Sequence, residues 1–285
     1  MSKDPRRSET AADNPRPGAW PIWVLSLPDA KERRSKVCAQ FAALGLSFSF
    51  LDAVDGRKGL PEEFASDVDR AGTIARLGYP MSDSEYACAL SHQLAYKKIL
   101  DSKLSGAIIL EDDVVLTENF RAFYETRSYR AAPLIQFFYL EAVVWAVLQR
   151  STPAARLERL VHSAWVTVGY SISADAAARI RANSLPLRSH ADWPCDTSRL
   201  VGHYITNPRI VLHPDPGDSQ STIVEWNGLI TDDFDFSANY PKGWRRLLNH
   251  ASWKRLLTRP MTRLRQPGFA PTAQENASIV MQSMQ

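Results

Sequence analysis

The stretch from Gly106 to Leu116, GAIILEDDVVL, constrains the fold of this chain more than any other. Its first half is short, apolar and rich in isoleucine, which is typical of a buried strand. Glu111, Asp112 and Asp113 follow without a break, and ionised carboxylates are costly to bury without partners. We therefore expect the strand to reach the surface at these three residues.

An acidic cluster at the end of a buried strand has two interpretations. In open α/β sheets, ligands bind beyond the carboxyl ends of the strands, where carboxylates suit a hard divalent cation and its phosphates. The alternative is a solvated acidic turn that binds nothing. The peptide by itself leaves both interpretations open.

The segments before this stretch alternate between strand and helix patterns. Pro21 to Leu27 has the composition of a strand, Ala30 to Leu44 that of a helix, and Leu46 to Leu51 that of a second strand. This order predicts a right-handed parallel unit. We therefore predict an α/β fold with a mostly parallel central sheet.

Later segments continue the alternation. Ser82 and Glu85 have the spacing of a capping box and predict a helix to about Leu100, whereas Leu60 to Met81 is predicted to be irregular. The further predicted elements are helices over Thr117 to Arg127, Ser151 to Val161 and Ala174 to Ala182, and a strand over Ala164 to Ser173.

Composition is ordinary for a globular protein, with 45% hydrophobic and 23% charged residues. The three cysteines are far apart and form no CxxC pair, which indicates a reducing compartment and no disulfide framework. Met1 to Ala19 is polar, with three prolines, and is expected to be a disordered leader rather than a signal peptide. We expect a cytoplasmic protein.

Two basic or polar pairs are candidate binding residues. Arg33 and Arg34 lie on the basic face of the first helix and could meet a diphosphate, although solvated helix charges are commoner. Ser91 and His92 lie within the long helix, too close in sequence to define a catalytic dyad. A single helical histidine is more often a structural hydrogen-bond donor than a ligand.

Two polar loops follow later in the chain. One, HADWPCD, carries Asp192 and Asp196, and the other begins at His213. The sequence contains no internal repeat, P-loop, GxGxxG, GxSxG or HExxH motif, so Walker-type phosphate binding and serine or cysteine nucleophiles have no motif support.

Six blocks of the sequence together carry a resemblance to a known family. The blocks are Val24 to Arg34, Leu51 to Gly56, Glu85 to His92, Ile109 to Val114, Gly169 to Ser173 with Asp192, and His213 to Ile223. In order and spacing, the first four resemble the first half of glycosyltransferase family 25 and the last two its second half, over roughly residues 22 to 225. The family includes lipooligosaccharide and collagen galactosyltransferases.

The resemblance implies a GT-A-like nucleotide-sugar-binding fold, a donor such as UDP-galactose, and transfer with inversion. Glu111 to Asp113 would occupy the place of the Asp-x-Asp element of such enzymes. The implied donor-binding residues are Arg33, Arg34, Asp55, Ser91, His92, Glu111 and Asp112.

Chemistry supplies the remaining roles. A divalent metal, Mn²⁺ or Mg²⁺, held by Asp113 with help from Glu111 and His213, would neutralise charge on the leaving diphosphate. Inversion needs a base for the acceptor hydroxyl, for which Asp192 is the first candidate and Asp196 the second. A plain turn role for Asp192 is the alternative.

The region from Leu134 to Leu160 matches the family poorly and is expected to shape the acceptor pocket.

We therefore expect a metal-dependent glycosyltransferase, acting on a lipooligosaccharide or other surface-glycan acceptor. The main alternative is a catalytically inactive protein of the same fold that binds sugar nucleotides as a scaffold. A response-regulator receiver domain also has an acidic pocket. This interpretation is disfavoured because no Asp occurs between Asp113 and Asp175 and no Lys between Lys103 and Lys242.

Basic residues cluster near the C-terminus. Eight Lys and Arg residues and no acidic residue lie between Asp235 and Glu275, interleaved with Trp and Leu, which is typical of an interfacial amphipathic helix. We divide the chain into a leader (1–19), a GT-A-like domain (20–235) and a basic segment (236–285). Residues 242–265 are expected to bind a membrane surface peripherally. A solvated tail is the alternative, and no motif supports nucleic-acid binding.

Overall fold

The structure, a computed structural model, describes residues 18–214, 261–268 and 270–280. A nine-stranded sheet forms its centre, and a two-stranded sheet lies beside it. The strands are β1 (Ile22–Ser26), β2 (Ser49–Asp52), β3 (Gly106–Glu111), β4 (Val115–Leu116), β5 (Leu134–Gln136), β6 (Ala142–Ser151), β7 (Arg156–Leu160), β8 (Gly169–Ser173), β9 (His203–Asn207), β10 (Val211–Leu212) and β11 (Thr262–Arg265).

Helices connect these strands. They are α1 (Lys31–Leu44), α2 (Arg70–Leu77), α3 (Asp83–Asp101), α4 (Glu118–Glu125), α5 (Ala174–Ser184), α6 (Thr197–Leu200) and α7 (Ala273–Asn276). The prediction of an α/β fold is confirmed. No helix in the described ranges is both long enough and apolar enough to cross a membrane.

The central sheet is mixed, so the prediction of a mostly parallel sheet is wrong. Its strand order is β11-β6-β7-β9-β5-β8-β3-β1-β2. The predicted opening is confirmed, because β1 pairs in parallel with both β2 and β3. Beyond β3, only β5 and β9 pair in parallel among the described strands, and the other neighbours are antiparallel.

Two other local predictions need correction. The predicted helix over Ser151 to Val161 is wrong, because this segment ends β6 and forms β7 of an antiparallel hairpin. Its Leu, Arg and Ala residues favour a helix locally, but pairing of β7 with β9 buries Leu157 and Glu158 instead. The connection from Leu60 to Met81 also contains a helix, α2.

Alternate residues of β1 and β3 pack into two cores, one on each face of the sheet. Val24 and Leu110 belong to the core that includes Phe41 of α1, whereas Trp23 and Ile109 belong to the core beneath α3 and α5. Both faces are covered, which explains the almost continuous apolar sequence of these strands. Polar side chains can therefore collect only where the strands end.

The C-terminal residues that the structure describes belong to this domain. β11 pairs with β6 at the sheet edge, and Arg265 donates two hydrogen bonds, of 2.8 and 2.7 Å, to the buried Glu158. Arg209 and Glu275 form an ion pair of 2.8 Å that is almost completely buried. Residues 236–260, 269 and 281–285 of the predicted basic segment lie outside the described residues, as do residues 1–17 of the predicted leader.

Candidate functional site

The three acidic residues at the end of β3 have separate sets of partners. Asp112 accepts hydrogen bonds from Ser26 Oγ at 2.7 Å and from Arg33 Nη1 at 2.8 Å. Burial raises the pKa of Asp112, although both partners oppose the shift. Arg33, predicted to meet a diphosphate, is thus placed against the acidic cluster, and Asp112 is occupied by protein partners.

Asp113 lies between Arg33 and His213. Its Oδ2 is 3.5 Å from His213 Nε2 and 3.8 Å from Arg33 Nη1, and its Oδ1 is buried without a hydrogen-bond partner. Burial alone would raise the pKa of Asp113, but His213 and Arg33 outweigh it and hold the pKa below its usual value. A partly buried carboxylate with one buried, unsatisfied oxygen fits a divalent cation.

His213 is oriented so that one nitrogen faces Asp113. Its Nδ1 donates a 2.6 Å hydrogen bond to the Pro214 carbonyl, which leaves Nε2 as the nitrogen directed at the carboxylate. Metal-binding histidines usually donate their second N–H to such a carbonyl. Asp113 and His213 therefore have the donor set of a cation site.

Glu111 turns toward α3 instead. Its Oε1 accepts a 2.8 Å hydrogen bond from Thr167 Oγ1 and lies 3.3 Å from His92 Nε2. In the described ranges, the group of potential ligand atoms that lie within 4.8 Å of one another comprises Cys88, His92 and Glu111. The structure thus groups Glu111 with His92 rather than with Asp113 and His213.

Asp192 approaches the same cluster through Thr167, whose Oγ1 is 3.4 Å from Asp192 Oδ1. Burial, followed by the negative charge of Glu111, raises the pKa of Asp192 to about 6. Val166 and Trp193, next to these two residues, have positive φ angles of 79° and 59°. Such conformations cost roughly 1–3 kcal/mol each and cluster at active sites.

Asp196 does not join this group. It is exposed and caps α6, accepting hydrogen bonds from Ser198 Oγ at 2.6 Å and from the Arg199 amide at 3.3 Å. Its observed contacts are those of a helix cap.

The other predicted donor-binding residues have protein contacts that fix the backbone. Arg34 donates to the carbonyls of Ser26 and Leu27, both at 3.1 Å. Ser91 is buried and accepts a 2.9 Å hydrogen bond from the Val54 amide, which holds the turn after β2 against α3.

Asp55 lies on that turn. Its side chain is exposed, and hydrogen bonds from Arg57 lower its pKa to about 2, so the carboxylate is ionised at neutral pH. The structure gives it an arginine partner and does not bring it to the end of β3 through any described contact.

Sequence reasoning missed Thr167, Val166 and Cys88. Cys88 precedes His92 by one helical turn, and this spacing was a usable signal because such residues share a helix face. Thr167 and Val166 gave no signal, since their importance depends on antiparallel pairing of β8 with β3.

Residues 19–196 match the model of a family described as "Glycosyltransferase family 25 (LPS biosynthesis protein)". The chain is also 30% identical over 164 residues to the lacto-N-neotetraose biosynthesis glycosyltransferase LgtE of Neisseria meningitidis, covering 54% of this chain and 56% of the relative. LgtB of the same species is 32% identical over 162 residues, covering 54% and 58%.

A glycosyltransferase 25 family member of Drosophila pseudoobscura is 26% identical over 192 residues, which cover 64% of this chain and 29% of that protein. The chain thus spans just over half the length of the two bacterial relatives. Asp113 and Asp192 lie inside the family match, whereas His213 lies beyond it.

Proposed function

Because the chain belongs to glycosyltransferase family 25, we propose that it transfers a sugar from a nucleotide-sugar donor to a lipooligosaccharide or other surface glycan. The fold would be GT-A-like, the donor UDP-galactose, and the transfer inverting. One observation carries this proposal: the buried, unpartnered Oδ1 of Asp113 beside His213, at the end of a strand in an α/β sheet. The names of the bacterial relatives agree with an oligosaccharide acceptor.

Asp113 and His213 would hold Mn²⁺ or Mg²⁺ at this position. A divalent ion bound there neutralises the charge that develops on the leaving diphosphate. Arg33, which pairs with Asp112 and lies 3.8 Å from Asp113, adds positive charge at the same edge of the sheet. Asp112 fixes the guanidinium of Arg33, so the cationic group is held in place before the donor binds.

Asp192 is the proposed base. A raised pKa of about 6 leaves Asp192 largely ionised at neutral pH, yet basic enough to accept the proton of an acceptor hydroxyl. Thr167 lies between the two carboxylates: its hydroxyl donates to Glu111 at 2.8 Å and its oxygen is 3.4 Å from Asp192. Inversion requires the base and the leaving diphosphate to lie on opposite faces of the sugar. The proposal therefore places the donor between Asp113 and Asp192.

Trp165 is the proposed contact for the acceptor sugar. Its side chain is 65% exposed, which is unusual for tryptophan, and it lies two residues before Thr167. Gln136 Nε2 donates to the carbonyls of Trp165 and Val166, at 2.9 and 2.6 Å, and fixes this loop. A rigid, exposed indole offers an apolar face on which a sugar ring can stack.

We propose that residues 242–260, which lie outside the described residues, bind a membrane surface, where a glycolipid acceptor would lie. The rest of the predicted range does not contribute, because Thr262–Arg265 forms β11 and Arg265 pairs with Glu158. Deleting all residues after Asn239 is a poor test, because the deletion also removes β11 and Glu275, which pack into the domain. Replacing Arg245, Arg246, Lys254 and Arg255 by Gln tests the idea with β11 and Glu275 intact. We expect loss of binding to anionic liposomes with turnover of a soluble acceptor retained.

The deciding experiment is a panel of nucleotide sugars assayed for hydrolysis and transfer with Mn²⁺, Mg²⁺ or EDTA. Metal-dependent turnover of one donor, lost in Asp113→Asn and retained in the surface variant Asp101→Asn, supports the transferase. Donor binding by calorimetry without turnover of any donor would instead support the inactive, sugar-nucleotide-binding alternative.

A further inference from the structure

A second group of potential metal ligands does not include Asp113 or His213. Cys88 and His92 are one turn apart on α3, and Glu111 ends β3. One ligand atom from each lies within 4.8 Å of the other two. The side chain of His92 is 3% exposed, while that of Glu111 is 25% exposed, so solvent reaches the group from the Glu111 side.

Hydrogen bonds behind His92 determine which of its nitrogens carries hydrogen. Tyr170 donates its hydroxyl hydrogen to Tyr96 at 3.0 Å, so the Tyr170 oxygen accepts from His92 Nδ1 at 2.7 Å. In neutral His92, Nε2 then presents a lone pair toward Glu111 Oε1 at 3.3 Å. Glu111 Oε1 already accepts from Thr167.

Two acceptor atoms that face each other repel, and either a proton on Nε2 or a metal ion between the two atoms removes the repulsion. A metal-binding histidine usually donates its second ring N–H to a nearby oxygen, and this hydrogen bond holds the ring in orientation. His92 Nδ1 donates to the Tyr170 oxygen in the same way. With zinc bonds of about 2.0–2.1 Å to nitrogen and oxygen in tetrahedral geometry, the two donor atoms are roughly 3.3 Å apart. The observed separation of 3.3 Å between Nε2 and Oε1 fits this geometry.

We propose that Cys88, His92 and Glu111 bind a borderline transition-metal ion of the zinc class, distinct from the Mn²⁺ or Mg²⁺ of the donor site. Sulfur and imidazole ligands favour zinc or cobalt, whereas the carboxylate of Asp113 favours hard cations. Three protein ligands leave a fourth position open. The proposal goes beyond sugar transfer and does not depend on it.

Cobalt titration of the full chain tests the proposal, because Co²⁺ bound to a thiolate absorbs in the near ultraviolet and Co²⁺ bound only to oxygen and nitrogen does not. We expect one equivalent of Co²⁺ to produce the thiolate band and one equivalent of Zn²⁺ to abolish it. Cys88→Ala should remove the band. Cys38→Ala, at an exposed cysteine, and Asp113→Asn should both retain it.

Alkylation of the unmodified protein provides a second measurement that needs no variant. Zn²⁺ should slow alkylation of Cys88 at least tenfold, as measured by mass spectrometry, and should leave the exposed Cys38 unaffected. Absence of the thiolate band in the wild-type chain, its persistence in Cys88→Ala, or unchanged alkylation of Cys88 with Zn²⁺ would each overturn the proposal.

Discussion

The carboxylate of Asp113 lies 3.5 Å from Nε2 of His213, although the two residues come from distant parts of the chain. The small sheet explains this proximity. β4 pairs with β10 in antiparallel register, with Val115 opposite Leu212, so the residue after β10 is brought beside the residues before β4. The geometry of the proposed cation site is therefore fixed by backbone pairing rather than by the side chains alone.

Replacement of either residue should weaken the proposed cation site to different extents. We expect Asp113→Asn to reduce metal-dependent turnover about 100-fold, or about 2.7 kcal/mol, because it removes the anionic ligand. His213→Gln should cost about tenfold, since a neutral donor remains. Mn²⁺ titrations of the initial rate measure both effects. Equal rates for Asp113→Asn and Asp101→Asn would contradict the assignment.

Activity should depend on pH through Asp192. A base must be ionised, and the pKa of Asp192 is raised to about 6 by burial and by Glu111. We therefore expect kcat/KM to be constant above about pH 7 and to fall as pH decreases through about 6, approaching tenfold per pH unit.

Asp192→Asn should lower kcat by about 10²–10⁴-fold and remove this pH dependence. Asp196→Asn is the matched control, because Asp196 is exposed and caps α6. Its rate and its pH profile should stay close to those of the wild type. If Asp196→Asn loses activity while Asp192→Asn keeps it, the roles of the two residues are reversed.

Trp165 should affect the acceptor and not the donor. We expect Trp165→Ala to raise the acceptor KM about tenfold, or about 1.4 kcal/mol, with donor hydrolysis unchanged. Trp165→Tyr should recover most of the affinity, because an aromatic face is restored. Ile74→Ala, at another exposed apolar residue on α2, is the control. An unchanged acceptor KM in Trp165→Ala would exclude the stacking role.

The buried pair of Arg209 and Glu275 should contribute to stability rather than to catalysis. Glu275→Gln leaves the guanidinium buried without its counter-ion, so we expect it to lower the free energy of unfolding by about 3 kcal/mol. Asp101→Asn breaks only an exposed pair with Lys97 and should cost about 0.5 kcal/mol or less. Urea denaturation measures both. A loss in Glu275→Gln as small as that in Asp101→Asn would show that the buried ion pair contributes little to stability.

The helix boundaries that the sequence predicted correctly depend on local chemistry. Ser82 and Glu85 form the predicted capping box at the start of α3, and Gly45 ends α1 with a φ of 62°. The hairpin of β6 and β7 could not be predicted in the same way. The residues of β7 favour a helix locally, and only pairing with β6 and β9 makes a strand the better structure.

The sequence by itself determined that three carboxylates leave a buried strand at Glu111, because neither the core nor the strand can accommodate them. It also determined the family, through blocks that lie in a fixed order. Only the tertiary structure decided how these carboxylates are divided: Asp112 pairs with Arg33, Asp113 with His213, and Glu111 with His92 and Thr167. The physical reason is that each partner reaches the site through strand pairing or helix packing between distant segments, and no local pattern records such contacts.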